Sequence, residues 1–265
     1  MLSRHLAKSF LMILFGVFVF QKTQAQTSAF QTGLVNYQNK KYPEAQTSFQ
    51  DALKDSPNDA AVLTNLGLTA YQLGQKSWAI AYFRRALTFD PSLPAPQQGL
   101  NFVFSQLEVK EIPHQIETYE SIRDIFLLPA WKYSYFWILA ALVFLFFWSL
   151  LRYLGQRKQS ENEDLPYPPF PWIVVFSGFF SVIFLALALT KMYDLQIPRG
   201  TIIDDKVAVQ SAPGEGQLSL FEIYGGFEVV IRSHSADWVQ ITYPGGLTGW
   251  IKKTSIYITS GEAPW

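Results

Sequence analysis

Three kinds of hydrophobic pattern follow one another along the chain. Residues 1–25 carry Arg4 and Lys8, pass through the apolar run SFLMILFGVFVF and end at the small residue Ala25. A basic start, a short apolar centre and a small-residue exit predict a secretory signal peptide, because the run is shorter than the ~20 residues of a membrane span. An uncleaved signal anchor is the alternative. From residue 26 apolar positions recur at helical spacing, and from residue 200 they alternate with polar ones, as in strands. Between these regions lie YSYFWILAALVFLFFWSLL and FPWIVVFSGFFSVIFLALALT, both without charge. Each is long enough as a helix to cross a hydrocarbon core, which predicts transmembrane helices over 133–151 and 170–190. The polar stretch 152–169 becomes a loop between them, and Tyr153, Trp172 and Tyr193 sit where interfacial aromatics are expected.

The helical region repeats itself. Gly33 and Gly67, Ala45 and Ala79, Phe49 and Phe83, Ala52 and Ala86, and Pro57 and Pro91 are each 34 residues apart. That period marks stacked helix pairs. The small residues let two helices approach, the phenylalanines fill the space between them, and the prolines stop the second helix. The stretch LTNLGLTAYQLGQKSWAIAYFRRALTFDP resembles the tetratricopeptide repeat (TPR), while the first copy is looser, with Thr32 for a leucine and Lys40 at the usual turn glycine. Leu100, Val103, Phe104 and Leu107 then predict one more helix, so residues 26–107 form an α-helical TPR solenoid of two repeats and a cap. Two repeats fall short of the ~3 that such arrays need, which implies a supporting neighbour. Residues 108–132 read as an amphipathic linker helix through Ile116, Tyr119, Ile122 and Phe126, lying at the membrane surface or packed on the repeats.

Beyond the second apolar segment, KVAVQSAP, LSLFEIYGGFEVVIRS, DWVQITYP, LTGWIKK and SIYIT alternate between turns at Pro213-Gly214, Gly225-Gly226 and Gly245-Gly246. The pattern predicts a small all-β barrel of about five strands over 200–259. With its closing Gly249-Trp250-Ile251 the unit resembles a bacterial SH3-like (SH3b) domain. That resemblance implies binding of peptides or cell-wall material, with Tyr224, Trp238, Tyr243 and Trp250 as candidate ligand aromatics. In so small a barrel Trp238 and Trp250 are more often core residues than ligand contacts.

Composition narrows the function. Hydrophobic residues make up 49% and charged ones only 16%, against ~25% in soluble domains. The 21 basic and 21 acidic side chains cancel, leaving no field to hold nucleic acid. Without cysteine there is no disulfide, thiolate metal site or cysteine nucleophile. No phosphate-binding loop, serine elbow or zinc-protease motif occurs, and His114, His234 and the acids Glu161, Glu163 and Asp164 read as solvated polar residues. No catalytic residue, metal or cofactor is expected, and the protein is read as non-enzymatic.

What remains is binding. The groove positions of the first helix of each repeat fall on Phe30, Leu34 and Tyr37 and on Leu68 and Tyr71. The places that hold a carboxylate clamp in some TPR proteins carry Phe30, Leu34, Asn65, Ala95 and Gly99, of which only Asn65 fits. The groove is therefore apolar and aromatic, suited to a hydrophobic segment of a partner or of the chain itself. The order of leader, two repeats, transmembrane hairpin and SH3b unit resembles the BatE family, the TPR/SH3 proteins of the aerotolerance (Bat) operon, through NLGLTAYQLGQKSWAIAYFRRAL and LFEIYGGFEVVIRSHSADWVQI. The resemblance implies membrane partners with von Willebrand factor A domains, indirectly a MoxR-like ATPase, and a role in envelope integrity. The expectation is an inner-membrane, multi-pass scaffold with both folded units periplasmic. The alternative is a peptidoglycan-binding sensor.

Overall fold

The computed structural model describes residues 28–107, 134–243 and 246–261. The expected signal peptide and the linker helix over 108–132 lie outside the described residues. Helices α1 (Ser28–Gln38) and α2 (Tyr42–Asp55) form the first repeat, α3 (Ala60–Gln72) and α4 (Lys76–Phe89) the second, and α5 (Pro94–Ser105) caps them.

The two repeats use the same joints. At Gly33 an added Cβ would lie 2.5 Å from the Phe49 ring, and at Gly67 it would lie 2.5 Å from the Phe83 ring. Both rings are buried, as are Ala45, Ala52, Ala79 and Ala86 around them. The turns match as well: Lys41 N–H bonds to the Asn36 carbonyl and Gln75 N–H to that of Ala70, each at 2.9 Å. Gly74 has φ 78° in its turn, and Lys40 takes the same left-handed conformation at φ 59°. The array imposes this geometry on Lys40 although a residue with a Cβ resists it by about 1 kcal/mol or more. Asp59 caps α3 by accepting from Ala61 N–H and Val62 N–H.

Helices α6 (Ser134–Asn162) and α7 (Trp172–Gln196) are both long and apolar enough to cross a membrane, and they pack together as a hairpin. Their contact is made through small residues, with Ser177 and Ala188 buried and Gly178 close against Phe146. The expected end of the first span at residue 151 is not a helix end. Helix α6 continues through Gln156, Arg157, Lys158 and Gln159, all good helix formers, with an Arg157–Glu161 pair at 3.6 Å. It stops where Asp164 turns left-handed and Leu165 N–H returns to the Ser160 carbonyl. Most of the expected loop 152–169 is thus helical. Likewise α7 runs past residue 190 to Gln196, with Lys191 and Asp194 buried.

The C-terminal unit has seven strands where about five were expected: β1 (Arg199–Ile202), β2 (Lys206–Gln210), β3 (Ser219–Tyr224), β4 (Glu228–Ser235), β5 (Trp238–Tyr243), β6 (Leu247–Lys252) and β7 (Ile256–Ser260). The run LSLFEIYGGFEVVIRS splits at Gly225-Gly226 into β3 and β4, and RGTI adds β1. All pairings are antiparallel, in the order β3-β2-β6-β5-β4-β1-β7. One core spans the sheet from Ile223 on β3 to Ile256 at the other edge, so the sheet curls around its own inner face. Gly249 marks the closest approach: a Cβ there would lie 2.5 Å from Val209 and 2.8 Å from the Gln210 carbonyl.

The supporting neighbour of the repeats is this β unit. Tyr257 of β7 packs into the hydrophobic core of the repeats. Its ring meets Trp78 at 5.4 Å and Tyr82 at 5.3 Å, both on α4.

Candidate protein-docking site

Two faces of the repeat unit are distinguished by what covers them. The α4 face is occupied. Arg84 donates from Nη1 to Thr201 Oγ1 at 2.9 Å and to the Gly226 carbonyl at 2.7 Å. Arg85 donates to the Ile258 carbonyl at 2.7 Å while its guanidinium lies over Phe89 and Tyr257. Thr88 donates to the Thr259 carbonyl at 2.8 Å. These donors cover part of the edge strand β7, the kind of edge that folds close with a helix. Gly225 and Gly226, read from sequence as hairpin glycines, also make room for α4: an added Cβ at Gly226 would lie 2.8 Å from Ile80, and one at Gly225 would lie 3.1 Å from the Ser77 Cβ. Burial pushes the Tyr82 phenol up to about 12, with Tyr257 adding to the shift and a Gln50 hydrogen bond opposing it. Burial likewise raises Tyr257, with Arg85 pulling the other way.

The opposite face carries the residues picked out as the groove. Tyr37 is half-buried with its ring 5.4 Å from Tyr42, and burial raises its phenol against a hydrogen bond with Gln72 of the next repeat. Tyr71, one repeat on, donates its hydroxyl to Gln106 Oε1 at 3.2 Å and sets its ring 5.4 Å from Phe102. Leu34 and Leu68 lie half-buried between them and the core. Phe102 is 52% exposed, so the cap helix lends an aromatic to this face that periodicity had given only a capping role. Phe30 is different from the other groove positions. It is 5% exposed and packs on Phe49, because the small Gly33 one turn on opens the core to it. The single clamp-like residue, Asn65, donates to the Ala61 carbonyl of its own helix.

The β-unit aromatics divide similarly. Tyr243 is buried in the core at 5.6 Å from Phe227 and cannot meet a ligand from outside. Trp238 and Trp250 lie outside the core, contrary to their usual tendency in small barrels, because Val239, Ile241, Gly249 and Ile251 take the inward places. Trp250 stands in register between Gln210 and Gln240, and Trp238 lies under Lys252. Tyr224 is half-buried beneath Lys206. At the end of α6, Glu161 faces Arg157, and Glu163 just beyond the helix accepts from Gln159.

The family model described as Tetratricopeptide repeat matches residues 30–94. The match and the paired helices together define a TPR-containing protein, with two helices suited to a membrane and a C-terminal antiparallel all-β unit. No curated protein matches the chain. TPR units are typically protein-interaction modules that present extended concave binding surfaces.

Proposed function

We propose that this protein is a non-enzymatic scaffold of the inner membrane that holds protein partners on the Tyr37–Tyr71–Phe102 face of its repeats, in a Bat-type envelope-stress or aerotolerance complex. The observation that carries the reading is the division of the repeat surface. One face is committed to the β unit, and the other presents half-buried and exposed aromatic side chains. Aromatic anchors of this kind supply most of the binding energy in protein interfaces. The contact between repeats and β unit also favours both on the same side of the membrane, since a hairpin of two crossings returns the chain to that side. Together with the leader expected from the sequence, this supports a periplasmic location for both. Membrane proteins with von Willebrand factor A domains, and through them a MoxR-like ATPase, are the partners the family resemblance suggests.

Crosslinking in native membranes tests this. Tyr37→Ala with Tyr71→Ala should abolish capture of membrane partners, whereas ~0.5 M salt, which shortens the screening length to a few ångströms, should leave wild-type capture intact. Capture lost in salt yet retained by the double variant would refute the assignment.

A second reading is favoured by one observation: Trp250 lies outside the core of an SH3b-like unit and, in register with Gln240, forms a half-buried aromatic and polar strip. Such a strip would suit peptidoglycan. Sedimentation with purified sacculi, lost in Trp250→Ala, is its test.

A further inference from the structure

The two contacts of the β unit meet on the same pair of strands. On one side, α4 holds β1 and β7 through Arg84, Arg85 and Thr88. On the other, α7 enters the sheet with only Ile197 and Pro198 between its last residue and β1. That short connection is tied at several points. Asp194 in the last turn of α7 accepts from Arg199 Nη2 at 3.3 Å, with Lys191 Nζ at 4.0 Å, and all three side chains are buried. Ile231 N–H bonds to the Pro198 carbonyl at 2.9 Å, and Ser260 donates to the Ile197 carbonyl at 3.4 Å. Thr259 joins both contacts: its carbonyl accepts from Thr88 of the repeats, and its hydroxyl donates to the Arg199 carbonyl beside the membrane helix.

We propose that the β1–β7 ladder is a rigid coupling between the repeats and α7, so that a displacement imposed on the repeats is delivered to the membrane helix instead of being absorbed by a linker. Breaking a buried ion pair by removing one partner leaves an uncompensated charge, which makes Asp194 the point at which this coupling is weakest to substitution. The coupling requires no particular partner and stands apart from the scaffold reading, which fails or succeeds on capture.

The chain has no cysteine, so paired spin labels can be placed without background. Exposed positions serve: Thr47 on α2, Thr254 before β7 and Met192 on α7. In the full-length protein in detergent or nanodiscs, Thr47→Cys/Met192→Cys and Thr47→Cys/Thr254→Cys should each give one narrow distance peak. Asp194→Ala, or a Gly-Gly-Ser insertion after Ile197, should abolish the narrow Thr47–Met192 peak and leave the Thr47–Thr254 peak unchanged. Arg84→Ala with Thr88→Ala should abolish both peaks. A broad Thr47–Met192 distribution in the unmodified chain, or a narrow one that survives the insertion, would overturn the coupling.

Discussion

Substituting Gly67 by alanine sets two effects of opposite sign against each other. Alanine in a helix gains up to about 1 kcal/mol over glycine. Against this, the new Cβ would lie 2.5 Å from Cε1 and 2.6 Å from Cδ1 of Phe83, about 1 Å inside the ~3.5–4.0 Å optimum for carbon pairs. A ring free to move would relieve the overlap. Phe83 is not free: it is 1% exposed, and a Cβ built at Gly99 on the cap helix would lie only 2.7 Å from the same ring. The ring is held between two glycines on different helices. Overpacking costs about 1–3 kcal/mol, and a ring held from both sides takes the upper half of that range, about 2–3 kcal/mol, so the net effect of Gly67→Ala is a loss of about 1–2 kcal/mol. Hydrogen exchange of the α3 and α4 amides in the full-length protein reads that loss as roughly 5–30-fold faster local opening. Adding Phe83→Leu to Gly67→Ala should recover part of it, because the smaller side chain vacates the contested space, giving a double-mutant coupling of about 1 kcal/mol. Exchange unchanged or slowed in Gly67→Ala would show that the ring has room, and the glycine-to-phenylalanine joint would then not be what sets the helix spacing.

Lys40→Gly should stabilise the first repeat by up to about 1 kcal/mol, while Gly74→Ala should destabilise the second by about as much, because both positions need positive φ and no neighbour crowds Gly74; the same exchange measurement checks both. Raising the pH should loosen the seam between repeats and β unit. Tyr82 keeps its proton when folded up to about 12, whereas an unfolded phenol loses it near 10, so stability is full below pH 10 and falls by about 2–3 kcal/mol on the way to 12. Tyrosine-to-phenylalanine at 82 should flatten that slope in a pH series of thermal melts.

The sequence exposes features whose physical cause is periodic or local. The 34-residue period is legible because each Gly, Ala and Phe of the stack recurs wherever the packing recurs. Strand alternation around Val239, Ile241, Gly249 and Ile251 is legible because every second side chain must enter one core. Misreadings arise where a local rule is overruled from a distance. Helix α6 outlasts its apolar stretch because hydrophobicity sets where a span can lie and not where a helix must stop. Phe30 and Tyr243 carry the residue types of a binding surface, and only the contacts with Phe49 and Phe227 turn them inward. The seam joins residues more than a hundred positions apart, as Arg84 and Thr201 are, and no window of sequence contains both.

One comparison within the sequence nevertheless contains the seam. Helices α2 and α4 are the same element one period apart, and they agree where they pack on their own repeat: Ala45 with Ala79, Phe49 with Phe83, Ala52 with Ala86. They disagree at Glu44 and Trp78, Ser48 and Tyr82, Gln50 and Arg84, Asp51 and Arg85, and Lys54 and Thr88. In α2 each of these is a small or solvated polar side chain, of which Asp51 and Lys54 pair with each other on the surface. In α4 the same positions hold the two aromatic rings that meet Tyr257 and the three donors that reach the β-unit backbone and Thr201. A repeat constrained only by its own stacking has no reason to replace solvated side chains with tryptophan, tyrosine and paired arginines on one helix and not on its copy. The agreement between copies therefore marks the packing that every repeat needs, and the disagreement marks the surface that this repeat alone has given to another part of the chain.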